Sequence, residues 1–409
     1  MREHVRVAIV GGGPAGLTAA AALARRLGDG VLVLEREAAT GGIPRHSAHL
    51  GYGIRDLHRF VSGPAYARRL TAAALSAGAR LETEATVTGW TGDRSLEVTS
   101  PRGRRVITAD AVILATGARE RPRPARHIPG DRPDGVYTTG QLQQLVHLYR
   151  RDVGTRAVIV GADLVSWSAA LTLRHAGCRP ALMTTESPHA TLRVPGRLAF
   201  GVPVLTRTRV TAVNGHGRVE SVDIEDLRTG RRHRVPCDTV VLTGDWIPEH
   251  ELARTGGLAL DPGTRGPRVD TTLATSVPGV FAAGNLLHPV DTADLAALDG
   301  RHVTPAVLSF LAGAAADVRP VALTCESPLR WVAPQRFHPT GPPPVRGRLQ
   351  LWTDVYRRFP HVVATQDGHR IGAARLPWPA APGRVFRVPF SLVTAADPTG
   401  GPVTISLDS

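Results

Sequence analysis

Two stretches of the chain repeat one plan. VAIVGGGPAGLTAAAAL starts at Val7 and AVIVGADLVSWSAALTLRHAG starts at Ala157. Each is a short apolar run, a turn and an alanine-rich amphipathic run, which reads as a buried parallel strand feeding a helix. A chain with two such units is constrained to an open α/β sheet in each. In the first, Gly11, Gly13 and Gly16 match G-x-G-x-x-G. The first glycine permits the tight turn, the second lets a pyrophosphate approach the backbone, and the third lets helix pack on strand. Pro14 and Ala15 complete the turn. Val31 to Leu34 predicts the next strand, and Glu35 follows it, 24 residues after Gly11, where a ribose diol would be bound. This set predicts a working dinucleotide site.

The second copy keeps only Gly161. Asp163 stands where the phosphate-approach glycine would be, and Ser166 where the packing glycine would be. A carboxylate about 4 Å from phosphate charges costs on the order of a few kcal/mol in a partly shielded site. The second strand, Ala181 to Met183, ends in Thr184-Thr185-Glu186, with no arginine pair for a 2′-phosphate. NAD(P) binding is therefore expected to be weak or absent, although an outward-turned Asp163 would leave NADH room.

Two further segments specify the nucleotide of the first site. ADAVILATGARERPR predicts a strand ending in Ala115-Thr116-Gly117, and TSVPGVFAAGNLLH a strand ending in Gly284-Asn285. These resemble the glutathione-reductase-like flavoproteins with two dinucleotide domains. There the second segment places an acid near the flavin ribityl chain; here that position is Asn285, an amide that still donates and accepts hydrogen bonds.

The resemblance extends through GGIPRHSAHLGYGIRDLHRFVSGPAYARRL, ATGARERPRPARHIPGDRPDGVYTTGQLQQLV, the stretch from CDTVVLTGDWIPEHEL to FAAGNLLH, and LRWVAPQR, in that order. Together they are similar to flavoproteins of the pyridine-nucleotide-disulfide oxidoreductase superfamily associated with glycerol-3-phosphate dehydrogenases. More distantly, they resemble the FAD subunits of sarcosine oxidase, opine oxidase and hydrogen cyanide synthase. The likeness covers residues 1 to about 335 and, loosely, the tail. It implies FAD held by Gly11, Gly13, Gly16, Glu35, Thr116, Gly117, Gly284 and Asn285. Gly42 and Arg45 follow the ribose acid, and Pro14, Ala15, Arg36, Val87 and Ala115 complete the expected cofactor set. The redox cysteine pair of the disulfide reductases is missing: Cys178, Cys237 and Cys325 are far apart and form no C-x-x-C.

The expected fold is α/β, with two Rossmann-type nucleotide-binding domains, the second inserted in the first, and a small C-terminal antiparallel β module. The FAD domain is expected at 1–118 and 272–320, the NAD(P)-type domain with its degenerate loop at 119–271, and the β-rich module at 321–409. The inserted domain is expected to carry a hairpin turning at Arg228-Thr229-Gly230-Arg231.

For catalysis the candidates are His46, His49 and Arg55 in PRHSAHLGYGIR, and His288 after Asn285. Histidine takes a proton near neutral pH, and arginine clamps a carboxylate or phosphate bidentately. For His46 and His49 the competing reading is a segment that merely wraps the cofactor, its glycines allowing sharp turns; for His288 it is capping or packing. No H-E-x-x-H or G-x-S-x-G motif is present, and no metal site is expected.

The charge of +14 is carried entirely by 49 arginines, since the chain has no lysine. Schiff-base chemistry on a lysine of this chain is thus excluded. The arginines are scattered, without the aromatic-interleaved stripe of a nucleic-acid binder. No apolar stretch reaches about 18 residues, so no membrane span is expected. MREHVRVAIV runs directly into a strand without a leader's apolar region, and a cytoplasmic location is expected.

Three functions are compatible with this reading. The first is an FAD-dependent dehydrogenase or oxidase taking a hydride from a C–N or C–O bond of a small metabolite onto flavin N5, with electrons passing to oxygen or a protein acceptor. The second is an NAD(P)H-dependent flavin reductase feeding a partner protein. The third is a flavin-binding subunit of a hetero-oligomeric dehydrogenase, its active site on another chain.

Overall fold

A computed structural model describes residues 2–190, 200–288, 291–314 and 320–408. The chain divides into two compact units: residues 1–45, 51–118 and 248–409, and residues 46–50 and 119–247.

In the first unit the strand Arg2–Val10 lies at the centre of a sheet. Val31–Leu34 and then Arg80–Glu82 add to it in parallel on one side, and Gly103–Leu114 on the other. Val280–Ala282 pairs in parallel with the end of Gly103–Leu114, so the chain returns to this sheet after the insertion. Strand ends that are apolar on both faces (Val7, Ala8 and Ile9 are fully buried) are what a sheet covered on two sides requires. Helices α1 (Pro14–Leu27) and α2 (Gly63–Ser76) cover it. Small residues on α1 let neighbouring helices approach: a Cβ on Gly300 would meet the Ala15 carbonyl oxygen at 2.1 Å.

The second unit has its own parallel sheet, in the order Val136–Thr138, Thr239–Leu242, Arg156–Val160, Arg179–Thr185 and Val204–Thr206. Helices α3 (Thr139–His147) and α4 (Leu164–His175) pack on it. A three-stranded antiparallel sheet, Thr208–Asn214, Ser221–Asp226 and Arg232–Pro236, contains the hairpin. At the hairpin, Arg234 pairs with Asp223 at 2.8 Å and Arg232 with Glu225 at 3.8 Å, so those arginines are internally matched.

The boundary of the second unit differs from expectation. Residues 248–271 group with the first unit rather than the insert. Glu249 explains this: its N–H donates to the Gly117 carbonyl and its carbonyl accepts from Thr116 Oγ1. Helix α5 (Glu251–Thr255) follows, and its Leu252 carbonyl accepts the Trp90 indole N–H.

Helix α6 (Ala293–Leu311) ends the nucleotide-binding part of the first unit. The C-terminal strands then build two small sheets around their own apolar core, which includes Phe337, Leu349, Leu351, Val388 and Ile405. One pair in this module is parallel rather than antiparallel, Leu323–Cys325 with Val403–Ile405. The last strand must therefore run alongside the first strand of the module, not turn back from its predecessor.

Candidate functional site

The glycine turn of the first unit is open where a phosphate would approach. Gly11, at φ +108°, sits so that a Cβ would meet the Ala115 carbonyl oxygen at 2.3 Å, and a Cβ on Gly16 would meet the Gly11 carbonyl oxygen at 2.0 Å. These two glycines are required by the fold itself. A Cβ on Gly13 would meet nothing within 4 Å. Gly13 is the N-cap of α1, and no side chain caps that helix. Its first N–H groups are left to a ligand, with the positive end of the helix dipole behind them.

Glu35 holds the turn in place. Its Oε2 accepts the Gly12 N–H at 2.8 Å and its Oε1 the Glu37 N–H at 2.9 Å, with the residue buried at the end of its strand. The Gly41 N–H donates to the Gly12 carbonyl at 2.7 Å, and Gly42 has φ +61° with its Cβ position 3.0 Å from the Gly13 Cα, so any side chain there would crowd the turn. Arg45 pairs with Glu37, and Arg36 lies 3.7 Å from Glu249. Ala115 is buried, and Gly117 takes φ +76°. Val87 is half-buried, paired with Val98 at the antiparallel edge of the same sheet.

The second half of the expected cofactor set comes from the Val280–Ala282 strand. Gly284, at φ +77°, packs beside Ala15, and its N–H donates to Asp299 Oδ2 at 3.0 Å. Asn285 Nδ2 donates to the Asp291 carbonyl, while its Oδ1 is buried and has no hydrogen-bond partner among the described residues. An orphaned amide oxygen at this point fits a ligand hydroxyl. Thr18 Oγ1, also buried and unpartnered among the described residues, is a further polar atom that sequence reading missed. Asp299 was missed as well. It lies two turns inside α6 and shows no local motif. Burial pushes its carboxyl up to about 7, and nearby Asp291 pushes the same way.

The corresponding turn of the second unit is closed. Asp163 is the N-cap of α4: its Oδ1 accepts the Ser166 N–H at 2.9 Å, and Ser166 Oγ accepts the Asp163 N–H at 3.1 Å. Together they form a capping box. Ser166 Oγ also lies 2.6 Å from Thr243 Oγ1, which itself donates to the Val160 carbonyl. The helix N–H groups that would take a pyrophosphate are thus partly used by the protein's own side chains. Arg126 donates to the Thr243 and Gly244 carbonyls, and Arg121 to Asp245 at 3.1 Å, tying down the strand ends where a nucleotide would lie. Glu120 accepts the Gly140 N–H at 3.0 Å, and burial pushes its carboxyl up to about 7.

The four catalytic candidates divide between the two units. His46 and His49 group with the second unit, Arg55 and His288 with the first. His46 is buried. His49 Nε2 lies 2.7 Å from Ser168 Oγ and its Nδ1 2.7 Å from the Leu50 carbonyl, inside a polar cluster with Gln143 and Ser47. Arg55 is paired with Asp294 at 3.1 Å, near the start of α6. His288 is buried and stacked on Trp331, with ring centroids 5.9 Å apart, and its Nδ1 is 4.0 Å from Asp291 Oδ2. Burial lowers the pKa of its ring, against the opposing pull of Asp291 and with a smaller push from Arg387. The three thiols are pushed up to about 11 by burial, which leaves them protonated and unreactive. Among the described residues no cluster of three or more potential metal ligands occurs.

Two nucleotide-type sheets, an open glycine turn braced by Glu35 and a capped counterpart are the architecture of the two-dinucleotide-domain class. Residues 5–300 match the model of the pyridine nucleotide-disulphide oxidoreductase family, and the chain belongs to it. The chain is 30% identical over 303 residues to the benzene 1,2-dioxygenase system ferredoxin–NAD(+) reductase subunit of Pseudomonas putida, covering 70% of this chain and 67% of that protein. It is 28% identical over 324 residues to an opine oxidase subunit of Rhizobium meliloti, covering 70% of this chain and 59% of the relative. The thioredoxin reductase of T. acidophilum shares the fold, with a TM-score of 0.63 at 22% identity over 75% of this chain and 98% of that one. The protein is thus a flavin-dependent oxidoreductase, and the residues of its first unit fit FAD.

Proposed function

We propose that this chain carries FAD in its first unit and oxidises a C–N or C–O bond of a small metabolite, itself or with a partner chain, and that its second unit is not a working nicotinamide entrance. Asp163 carries this reading. It caps α4 with Ser166 where a pyrophosphate would need bare N–H groups and no negative charge.

When bound, FAD supplies the acceptor for a hydride and the means to release electrons singly. The chain's own residues do the rest. Gly13 and the uncapped start of α1 leave space and donors for the pyrophosphate. Glu35 is fixed by two N–H donors, so it needs no reordering to meet a ribose. Asn285 offers its free Oδ1 to a ribityl hydroxyl. The Arg55–Asp294 pair leaves that guanidinium partly exposed, able to receive a substrate carboxylate.

A second reading is favoured by the Pseudomonas putida relative, a ferredoxin–NAD(+) reductase subunit. On that reading NADH enters through a rearranged second unit and a partner protein receives the electrons. Anaerobic addition of NADH or NADPH to the flavin-loaded protein separates the two. Unbleached flavin, with normal reduction by dithionite, is the result expected; rapid bleaching at micromolar nucleotide would replace the first reading with the second.

A further inference from the structure

The C-terminal module lies beyond the matched family segment, and it carries an unusual surface. Phe359 is 65% exposed, Trp378 50% and Tyr356 39%, three aromatics in a chain with few of them on its surface. Backbone pairing brings them to one end of the module. Arg357 and Ala380 exchange both N–H···O bonds at 2.9 Å, and the Leu376 N–H donates to the Pro360 carbonyl at 3.1 Å. Arginines interleave with them: Arg357, Arg358, Arg375 and Arg384 are exposed, Arg358 lies over the Phe359 ring at 5.2 Å, and Arg384 donates to the Pro379 carbonyl. The acid at its edge, Asp354, is engaged by Arg330. Scattered exposed aromatics need no explanation, but aromatics and arginines gathered together have the composition of a protein interface core and its hot spots.

The module that carries the patch also packs on the Asn285 loop. Trp352 lies on the strand that leads into it, four residues before Tyr356. It stacks on Trp331 at 6.0 Å, and Trp331 stacks on His288 at 5.9 Å, three residues after Asn285. Arg387 of the module holds Asp291 in the same loop with two 2.6 Å bonds. An aromatic stack of His288, Trp331 and Trp352 thus lies beside the Asn285 loop, and the chain runs from Trp352 to Tyr356 of the patch in four residues.

We propose that this end of the C-terminal module is the docking surface for an electron-carrier protein with an acidic face. The proposal rests on the reading that the bound flavin exchanges electrons with a protein. The positive rim selects an acidic partner and steers its approach, and the aromatics supply the buried centre.

The test measures binding, not turnover, so it stays separate from the question of what reduces the flavin. An acidic two-iron, two-sulfur ferredoxin is titrated into the FAD-loaded protein at low ionic strength by calorimetry, with basic cytochrome c as the charge control. Binding of ferredoxin alone is expected, weakening with added salt. It should fall about tenfold or more in R357E/R358E and in F359A/W378A, each checked for unchanged flavin content and melting temperature. Equal binding by these variants, or no ferredoxin binding at all, would overturn the proposal. So would concentration-dependent self-association abolished by F359A/W378A, which would assign the patch to a second copy, or tight binding of a single-stranded oligonucleotide through it.

Discussion

Asp163 Oδ1 accepts the backbone N–H of Ser166 at 2.9 Å, three residues into its own helix. The carboxylate that the sequence sets against a pyrophosphate is therefore satisfied within the fold, and the two substituted positions are partners. They cap a helix start that a bound pyrophosphate would need bare. Restoring both glycines should reopen the turn. D163G/S166G is expected to lose about 1 kcal/mol of stability with its cap and to gain NADH or NADPH binding, read by calorimetry. Failure to gain it would place the block elsewhere, at Arg126 and the strand ends.

The two ends of the first glycine motif should respond differently to a methyl group. Gly16→Ala drives a Cβ against the Gly11 carbonyl oxygen and should destabilise the protein by several kcal/mol, seen as a lowered melting temperature. Gly13→Ala meets open space at a φ of −81°, so the flavin-free protein should melt normally while FAD occupancy drops. Purified protein with full flavin content in Gly13→Ala would mean the pyrophosphate does not pass there.

Stability should fall as pH rises towards neutrality. Asp299 and Glu120 are each held up to about 7 by burial, above the ordinary carboxyl values of 3.8 and 4.5. Between roughly pH 4 and 7 the folded protein binds more protons than the unfolded chain, so this contribution is full below pH 4 and lost by about pH 7. For Asp299 the loss is on the order of a few kcal/mol. D299N should flatten the melting temperature between pH 5 and 8 relative to the native chain; an unchanged slope would show that the carboxyl ionises at its usual pH.

Breaking the ion pair that fastens the C-terminal module to the Asn285 loop should be costly. Asp291 is 7% exposed in its side chain and Arg387 25%. R387M leaves a nearly buried carboxylate without its partner, a loss of about 3 kcal/mol. The double variant R387M/D291N should recover part of it, and denaturant unfolding of the four proteins measures the coupling.

What the sequence makes legible is local. The strand–turn–helix units, the acid that follows the second strand and the hairpin all declare themselves within about 30 residues. Asp163 is visible as a misfit, but its capping role requires the rotamer and Ser166 together. The pairings of His49 with Ser168, 119 residues apart, and of Arg387 with Asp291, 96 apart, have no signature in one sequence. The boundary of the insert is misplaced for the same reason. Residues 248–271 carry no signal of a domain boundary in the sequence, and it is the bonds from Glu249 to Gly117 and Thr116 that tie their start to the first unit.

The first unit is assembled from three separated pieces of chain, while the second is nearly all one piece, 119–247. On a ribosome the second unit is complete once those residues emerge. The first must wait for Val280–Ala282 to reach its sheet, and the C-terminal module waits until Val403–Ile405 arrives beside Leu323–Cys325. Until then the apolar edge of Gly103–Leu114 has no cover from its last strand. Nascent chains exposed outside the ribosome as far as residue 270 should therefore present a finished second unit and a first unit that chaperones still recognise.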